Sequence, residues 1–233
     1  MARKQRLSWK KPLLTVGTVS TWNGLSHLES SEPLVDLIEV RLDALFAKDR
    51  SPENIIKILK KRKTNVILTL RTRDEGGLYS WKSTERVLIF EQLLPYVDVI
   101  DIELKNVHYH RDILRSARSK GKSIILSAHS LSRKLTPRKA ARWMSEFKKH
   151  RANVYKIASL ARNCQDLGLL TRLVLENRSN MAVMATGKMS QVSRVVLSAL
   201  GSKLVYGYLD EPMATGQPPV EEIRTMLDPI GLV

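Results

Sequence analysis

The sequence predicts a single-domain α/β protein, a closed (β/α)8 TIM barrel over residues 1–233, and three observations predict it. Short runs rich in apolar and β-branched residues recur eight times, roughly every 25 to 30 residues. Helix-type stretches separate most of these runs, and strand alternating with helix implies parallel strands joined by crossover helices. No G-x-G-x-x-G follows any run, which counts against an open dinucleotide-binding sheet. A chain of 233 residues is an ordinary length for such a barrel.

The eight runs are Leu13–Val19, Leu37–Asp43, Val66–Arg71, Val97–Leu104, Ser123–His129, Val154–Ser159, Met181–Thr186 and Leu204–Leu209. Ser51-Pro52-Glu53 supplies a capping serine and a proline at the first helical position, and Thr136-Pro137-Arg138 repeats the pattern. Ser83-Thr84-Glu85-Arg86 opens a further helix. With no linker-like or low-complexity segment, the chain reads as one domain carrying a basic N-terminal extension at about residues 1–11.

Composition narrows the function. The single cysteine, Cys164, excludes an internal disulfide framework, and the five histidines form no H-E-x-x-H pattern, so no metal is expected. No apolar segment follows the basic N-terminus and no run reaches the ~18 apolar residues of a membrane span. The chain is expected to be cytoplasmic, without a membrane partner. Its net charge of +16 fits either a polyanion-binding surface or a solvated basic surface on an enzyme that handles a small anion. Lysines and arginines are spread along residues 57–63, 111–122 and 133–151, and aromatic residues make up only 6% of the chain. That favours the second reading, with no nucleic-acid partner.

Side-chain parity then locates a site. Alternate residues of a strand share a face, so in Leu37–Asp43 the charged residues 39, 41 and 43 oppose the apolar 38, 40 and 42. Glu39 and Arg41 are therefore directed into the barrel. Arg71, Asp101, Glu103, Ser127, His129 and Lys156 occupy comparable strand-end positions, where barrels build active sites. Salt-bridged plugs of the barrel mouth are the structural alternative, and Asp101 and Glu103 fit that role.

Lys156 lies in the apolar run Val154-Tyr155-Lys156-Ile157-Ala158-Ser159. Burial disfavours an ammonium, and the neutral amine is a nucleophile that forms a Schiff base with ketones and aldehydes. A lysine paired with a strand-end carboxylate, or snorkelling to the surface, is the bland reading. His129, one strand earlier, is either a satisfied core histidine or a general base. Glu75, in the loop after Arg71, is either a solvated acid or the group that orients His129. The turn from Thr186 to Arg194 suits a carboxylate or phosphate, and the segment from Asp210 to Gln217 has the Pro and Gly of a closing loop.

Taken in order, Glu39-Val-Arg41-Leu-Asp43, Arg71-Thr-Arg-Asp-Glu75-Gly-Gly, Asp101-Ile-Glu103, Ser127-Ala-His129, Tyr155-Lys156-Ile-Ala, Ser193-Arg194 and Ala214-Thr-Gly-Gln217 resemble the type I 3-dehydroquinate dehydratases. The resemblance runs from Pro12 to about Leu227. It implies a (β/α)8 barrel, usually dimeric, that needs no cofactor. The implied reaction is the syn elimination of water from 3-dehydroquinate to give 3-dehydroshikimate, the third step of the shikimate pathway of aromatic amino acid biosynthesis. By this resemblance Lys156 forms the imine, His129 is the acid–base and Glu75 orients it. Arg194 grips the substrate carboxylate, while Glu39, Arg41, Arg71 and Gln217 bind hydroxyls and shape the pocket. Two positions depart from the family pattern. Met213 stands where a hydroxyl residue is usual, with Thr215 close enough to replace it. Thr186 stands where a methionine packs near the imine, with Met184 and Met189 close by.

Two rival readings use the same residues. A class I aldolase also builds a lysine imine in a barrel but breaks a carbon–carbon bond. A non-catalytic basic barrel would bind nucleic acid with a steep salt dependence that Lys156 does not influence.

Overall fold

The computed structural model describes residues 7–30, 33–47, 52–177 and 180–233. Ser51, expected to cap a helix, and the first six residues of the basic extension lie outside these. Eight parallel strands form one sheet: β1 (Leu14–Val19), β2 (Leu37–Arg41), β3 (Asn65–Thr69), β4 (Val99–Glu103), β5 (Ser123–Lys134), β6 (Val154–Leu160), β7 (Met181–Thr186) and β8 (Leu204–Tyr208). Their order, β7-β6-β5-β4-β3-β2-β1-β8, is that of a (β/α)8 barrel opened at one seam. The α-helices are α1 (Leu42–Leu45), α2 (Pro52–Lys61), α3 (Ser83–Leu93), α4 (Arg111–Ser119), α5 (Pro137–Phe147), α6 (Cys164–Glu176), α7 (Ser190–Ala199) and α8 (Val220–Leu227). The α5 start is as expected: Pro137 occupies the first turn and the Thr136 hydroxyl accepts from Lys139 N–H at 3.2 Å.

Three expected strands end more than one residue away from expectation, the third at Thr69 rather than Arg71. The second stops at Arg41, because Asp43 turns inward. Its carboxylate accepts two bonds from the Arg41 guanidinium, at 2.9 and 2.8 Å, and one each from the backbone N–H of Arg71 and Leu78. Leu42–Leu45 therefore coils into the single turn α1. The fifth continues to Lys134, with a register shift against β6 between Ser130 and Lys134.

No strand ladder joins β7 to β8 among the described residues; side chains and an isolated backbone bond close the seam instead. At its start the Ser202 hydroxyl accepts from Val183 N–H at 3.0 Å, while Lys203 N–H donates to Met181 O at 2.7 Å. At its end the Arg194 guanidinium donates to both Ala185 O on β7 and Tyr206 O on β8.

The barrel interior has two levels. Leu37, Ile67, Val99, Ile125, Val154 and Leu204 pack together in the lower level, and Leu7 and Trp9 close it from below. Two residues further along the strands, one layer up, come Glu39, Thr69, Asp101, Ser127 and Lys156, all buried. The alternate apolar residues, among them Ile38, Val40, Ile100 and Leu126, face the helices in the larger outer core. The change from apolar to charged between neighbouring layers is what converts a packed barrel into one with a site at its C-terminal mouth.

Candidate active site

A cavity of about 60 Å³ lies at that mouth, and all eight residues proposed from the sequence line it: Glu39, Arg41, Arg71, Glu75, His129, Lys156, Arg194 and Gln217. They come from β2, β5, β6, α7 and the loops after β3 and β8. Fold topology alone brings them together.

Lys156 is both buried and partnered. Its Nζ lies 3.1 Å from Glu39 Oε1 and 3.1 Å from Asp101 Oδ2, and 4.1 Å from the centroid of the Tyr206 ring. The pairing and the cavity position, set against each other on sequence grounds, hold simultaneously. Asp101 is fixed from beneath: Arg71 Nη2 donates to it at 2.9 Å, and the Ser127 hydroxyl, itself accepting from Arg71, donates at 2.5 Å. Burial would raise the Asp101 carboxyl, but Arg71 and Lys156 outweigh it and hold the group well below the usual carboxylate range. For Glu39, burial likewise opposes Lys156, and the net direction is downward. Asp101 is thus more than a plug. Glu103 does match the structural reading, since it neutralises Arg86 and accepts from Thr72 N–H.

His129 Nδ1 lies 2.6 Å from Glu75 Oε2. Burial, reinforced by the nearby cations Arg71 and Lys156, pushes the imidazole well below its ordinary value, so the ring rests neutral. Burial also raises the Glu75 carboxyl, to about 7. Gly76 and Gly77 permit the tight turn that aims Glu75 inward. Gly76 has φ +88°, and a Cβ on Gly77 would stand 2.1 Å from Arg71 O. Lys105, 3.7 Å from Glu75, closes the outer side of this pair.

Arg194 is the buried cation that, among the described residues, has no carboxylate within 4.0 Å. Burial without a counter-charge pulls its guanidinium down to about 10. Its Nε and Nη1 are committed to the seam and to Ser190, which leaves Nη2 for an incoming anion. Arg41 is held differently from expectation, since Asp43 grips its guanidinium and leaves one edge toward the cavity. Gln217 donates to the Thr18 hydroxyl at 3.3 Å and accepts from Met213 N–H at 2.9 Å, drawing the 210–217 loop over the cavity.

Met213, Thr186 and Met184 line the cavity, whereas Thr215 and Met189 do not. Thr215 therefore does not replace the missing hydroxyl; its carbonyl instead accepts from Gly187 N–H at 2.9 Å. Sequence reasoning missed Tyr206 and Thr18 and undervalued Asp101. Their inward parity was legible in each strand, but neutral side chains and an acid below the cavity carry no mark of proximity to Lys156.

A model of the type I 3-dehydroquinase family matches residues 18–232. The chain belongs to that family. The 3-dehydroquinate dehydratase of Methanosarcina acetivorans is 30% identical over 213 residues, covering 86% of this chain and 87% of the relative. That of Thermococcus onnurineus is 29% identical, covering 94% and 99%. Among solved structures, a type I 3-dehydroquinate dehydratase from Clostridium difficile carrying a covalently attached comenic acid superposes with a TM-score of 0.83 at 18% identity, over 99% of this chain and 96% of that one. The (β/α)8 architecture is thus the family's own.

Proposed function

We infer that the protein is a hydro-lyase that converts 3-dehydroquinate to 3-dehydroshikimate through a lysine Schiff base, in the shikimate pathway. The observation that carries this reading is the convergence of Lys156 and the paired His129–Glu75 on one cavity that also exposes the uncompensated guanidinium of Arg194.

In this reading Arg194 holds the substrate carboxylate, and Glu39, Arg41, Arg71 and Gln217 shape the pocket and meet the hydroxyls. Lys156 Nζ adds to the C3 ketone, and loss of water gives the protonated imine. The imine is an electron sink that acidifies C2. His129 takes the C2 proton through Nε2 while Glu75 accepts the Nδ1 hydrogen bond and fixes the tautomer. The C1 hydroxyl then departs as water with the proton that His129 returns to it. Hydrolysis of the imine frees product and Lys156. No cofactor enters any step. Glu39 and Asp101, both 3.1 Å from Nζ, hold the amine in position at the floor of the cavity.

We also read the whole chain as one catalytic domain that works in the cytoplasm as a homodimer. Among the described residues no helix is long and apolar enough to cross a membrane, and the family resemblance supports the dimer. Light scattering coupled to size exclusion tests the dimer.

The experiment for the activity is ultraviolet absorbance on adding 3-dehydroquinate, because the product's conjugated enone absorbs and the substrate does not. A rise that Lys156→Ala abolishes supports both reaction and nucleophile. No rise from folded protein would overturn the reading.

A further inference from the structure

Most of the basic residues behind the net charge of +16 lie outside the active site, and their distribution in space differs from their distribution along the chain. Six of them, dispersed in sequence, gather in one groove. Helices α4 and α5 stand apart, and a groove of about 940 Å³ runs between them. Arg111, Arg115 and Arg118 present one wall at near-helical spacing, Lys139 and Arg142 the other, and Lys105 closes the end nearest Glu75. Leu104, Val107 and Leu114 form an apolar floor beside Trp143.

Neutralisation is sparse. Among the described residues Glu146 is the sole acid lining the groove, and it pairs with Lys149 at 2.8 Å. Arg115 has Asp112 at 3.2 Å. Among the described residues Arg111, Arg118, Lys139 and Arg142 have no carboxylate within 4.0 Å. Lys139 instead sits 4.7 Å from the Trp143 ring centroid. Facing rows of like charge beside low-dielectric walls focus a positive potential, and a compact polyanion relieves it. The volume is that of a small-molecule site, for which ~300–1,000 Å³ is usual.

We propose that the groove between α4 and α5 is a second binding site, which takes a small molecule bearing several phosphates, such as inorganic tripolyphosphate or a nucleoside triphosphate. Guanidinium groups on two walls match phosphate oxygens in pairs, and the apolar floor with Trp143 leaves room for an attached ring. Nucleic acid is the poorer fit, because a strand-tracking groove offers successive aromatic platforms and this one has a single tryptophan.

The test is calorimetric titration of the full chain with inorganic tripolyphosphate, with ATP and with a single-stranded oligonucleotide, at physiological ionic strength. One-to-one saturable binding of tripolyphosphate is expected, weakened about tenfold or more in the double variant Arg111→Gln, Arg142→Gln. Circular dichroism confirms that the variant is folded, independently of any turnover. ATP binding equal to tripolyphosphate would assign recognition to the phosphates alone, and tighter ATP binding would add the ring; both support the site. Three results overturn it: no saturation, affinity unchanged in the double variant, or oligonucleotide binding that exceeds both small anions.

Discussion

Nδ1 of His129 stands 2.6 Å from Oε2 of Glu75, and both side chains are buried at the edge of the cavity that holds Lys156. A neutral imidazole that donates from Nδ1 presents the Nε2 lone pair to whatever fills the cavity. Because burial beside Arg71 and Lys156 pushes the ring well below 6.5, protonation of His129 contributes to the acid limb of kcat/KM only below that value.

Glu75 has a cost that its removal exposes. Its folded pKa of about 7 exceeds the ordinary 4.5, so ionising it opposes folding. The penalty is absent below pH 4.5 and complete above 7. Glu75→Gln is therefore expected to stabilise the fold at pH 8 by on the order of 2–3 kcal/mol, with no gain at pH 4. The same variant should lose about 10- to 100-fold in kcat, since the amide fixes the His129 tautomer less firmly. Thermal melts at the two pH values check the first part, and an unchanged melting difference would refute it.

Lys156→Ala should end turnover and borohydride trapping of substrate. It also leaves Glu39 and Asp101 facing each other without the cation between them. Arg71 still serves Asp101, so the protein should fold but lose ~3 kcal/mol at pH 8. The deficit should shrink toward pH 5, because the unpaired carboxylates, now with raised pKa values, become protonated. A pH-independent loss would mean that the pair is not the source.

How much of this was legible beforehand follows from two kinds of signal. Strand parity and loop position are local, and they placed Glu39, Arg71, His129 and Lys156 around one mouth before any coordinates. Partner choice is not local. Nothing in the β2 run says that Asp43 leaves the strand to hold Arg41, or that Asp101 lies under Lys156 from two strands away. The basic groove escaped for the same reason: residues 111–118 and 139–142 form facing walls only because α4 and α5 flank one strand.

Arg194 joins two tasks, and one variant should separate them. Its Nε and Nη1 bind Tyr206 O and Ala185 O across the β7–β8 seam, while in the proposed reading Nη2 meets the substrate carboxylate. Arg194→Gln is expected to raise KM about 10- to 100-fold, with a smaller change in kcat, and to lower the melting temperature. A variant that melts lower yet keeps the parent KM would show the arginine to be a seam residue only.

The loop over the cavity depends on Gly216. Its φ of +77° lies in the left-handed region, and a Cβ there would stand 2.8 Å from Gly187 O and 3.0 Å from Ser190 Cβ. Gly187 has φ +78° and its N–H donates to Thr215 O, so the loops after β7 and β8 meet backbone to backbone. Gln217 follows immediately and reaches Thr18 across the cavity. Gly216→Ala must push the two loops apart and carry Gln217 with it. The fold should survive, because the loop lies outside the barrel layers, and borohydride should still trap substrate on Lys156. The expected loss is about tenfold in kcat/KM, mostly through KM, since in the proposed reading Gln217 binds rather than reacts. Steady-state kinetics decide the matter: parent-like kcat/KM in a folded Gly216→Ala protein would mean that the site works without the loop held in this position.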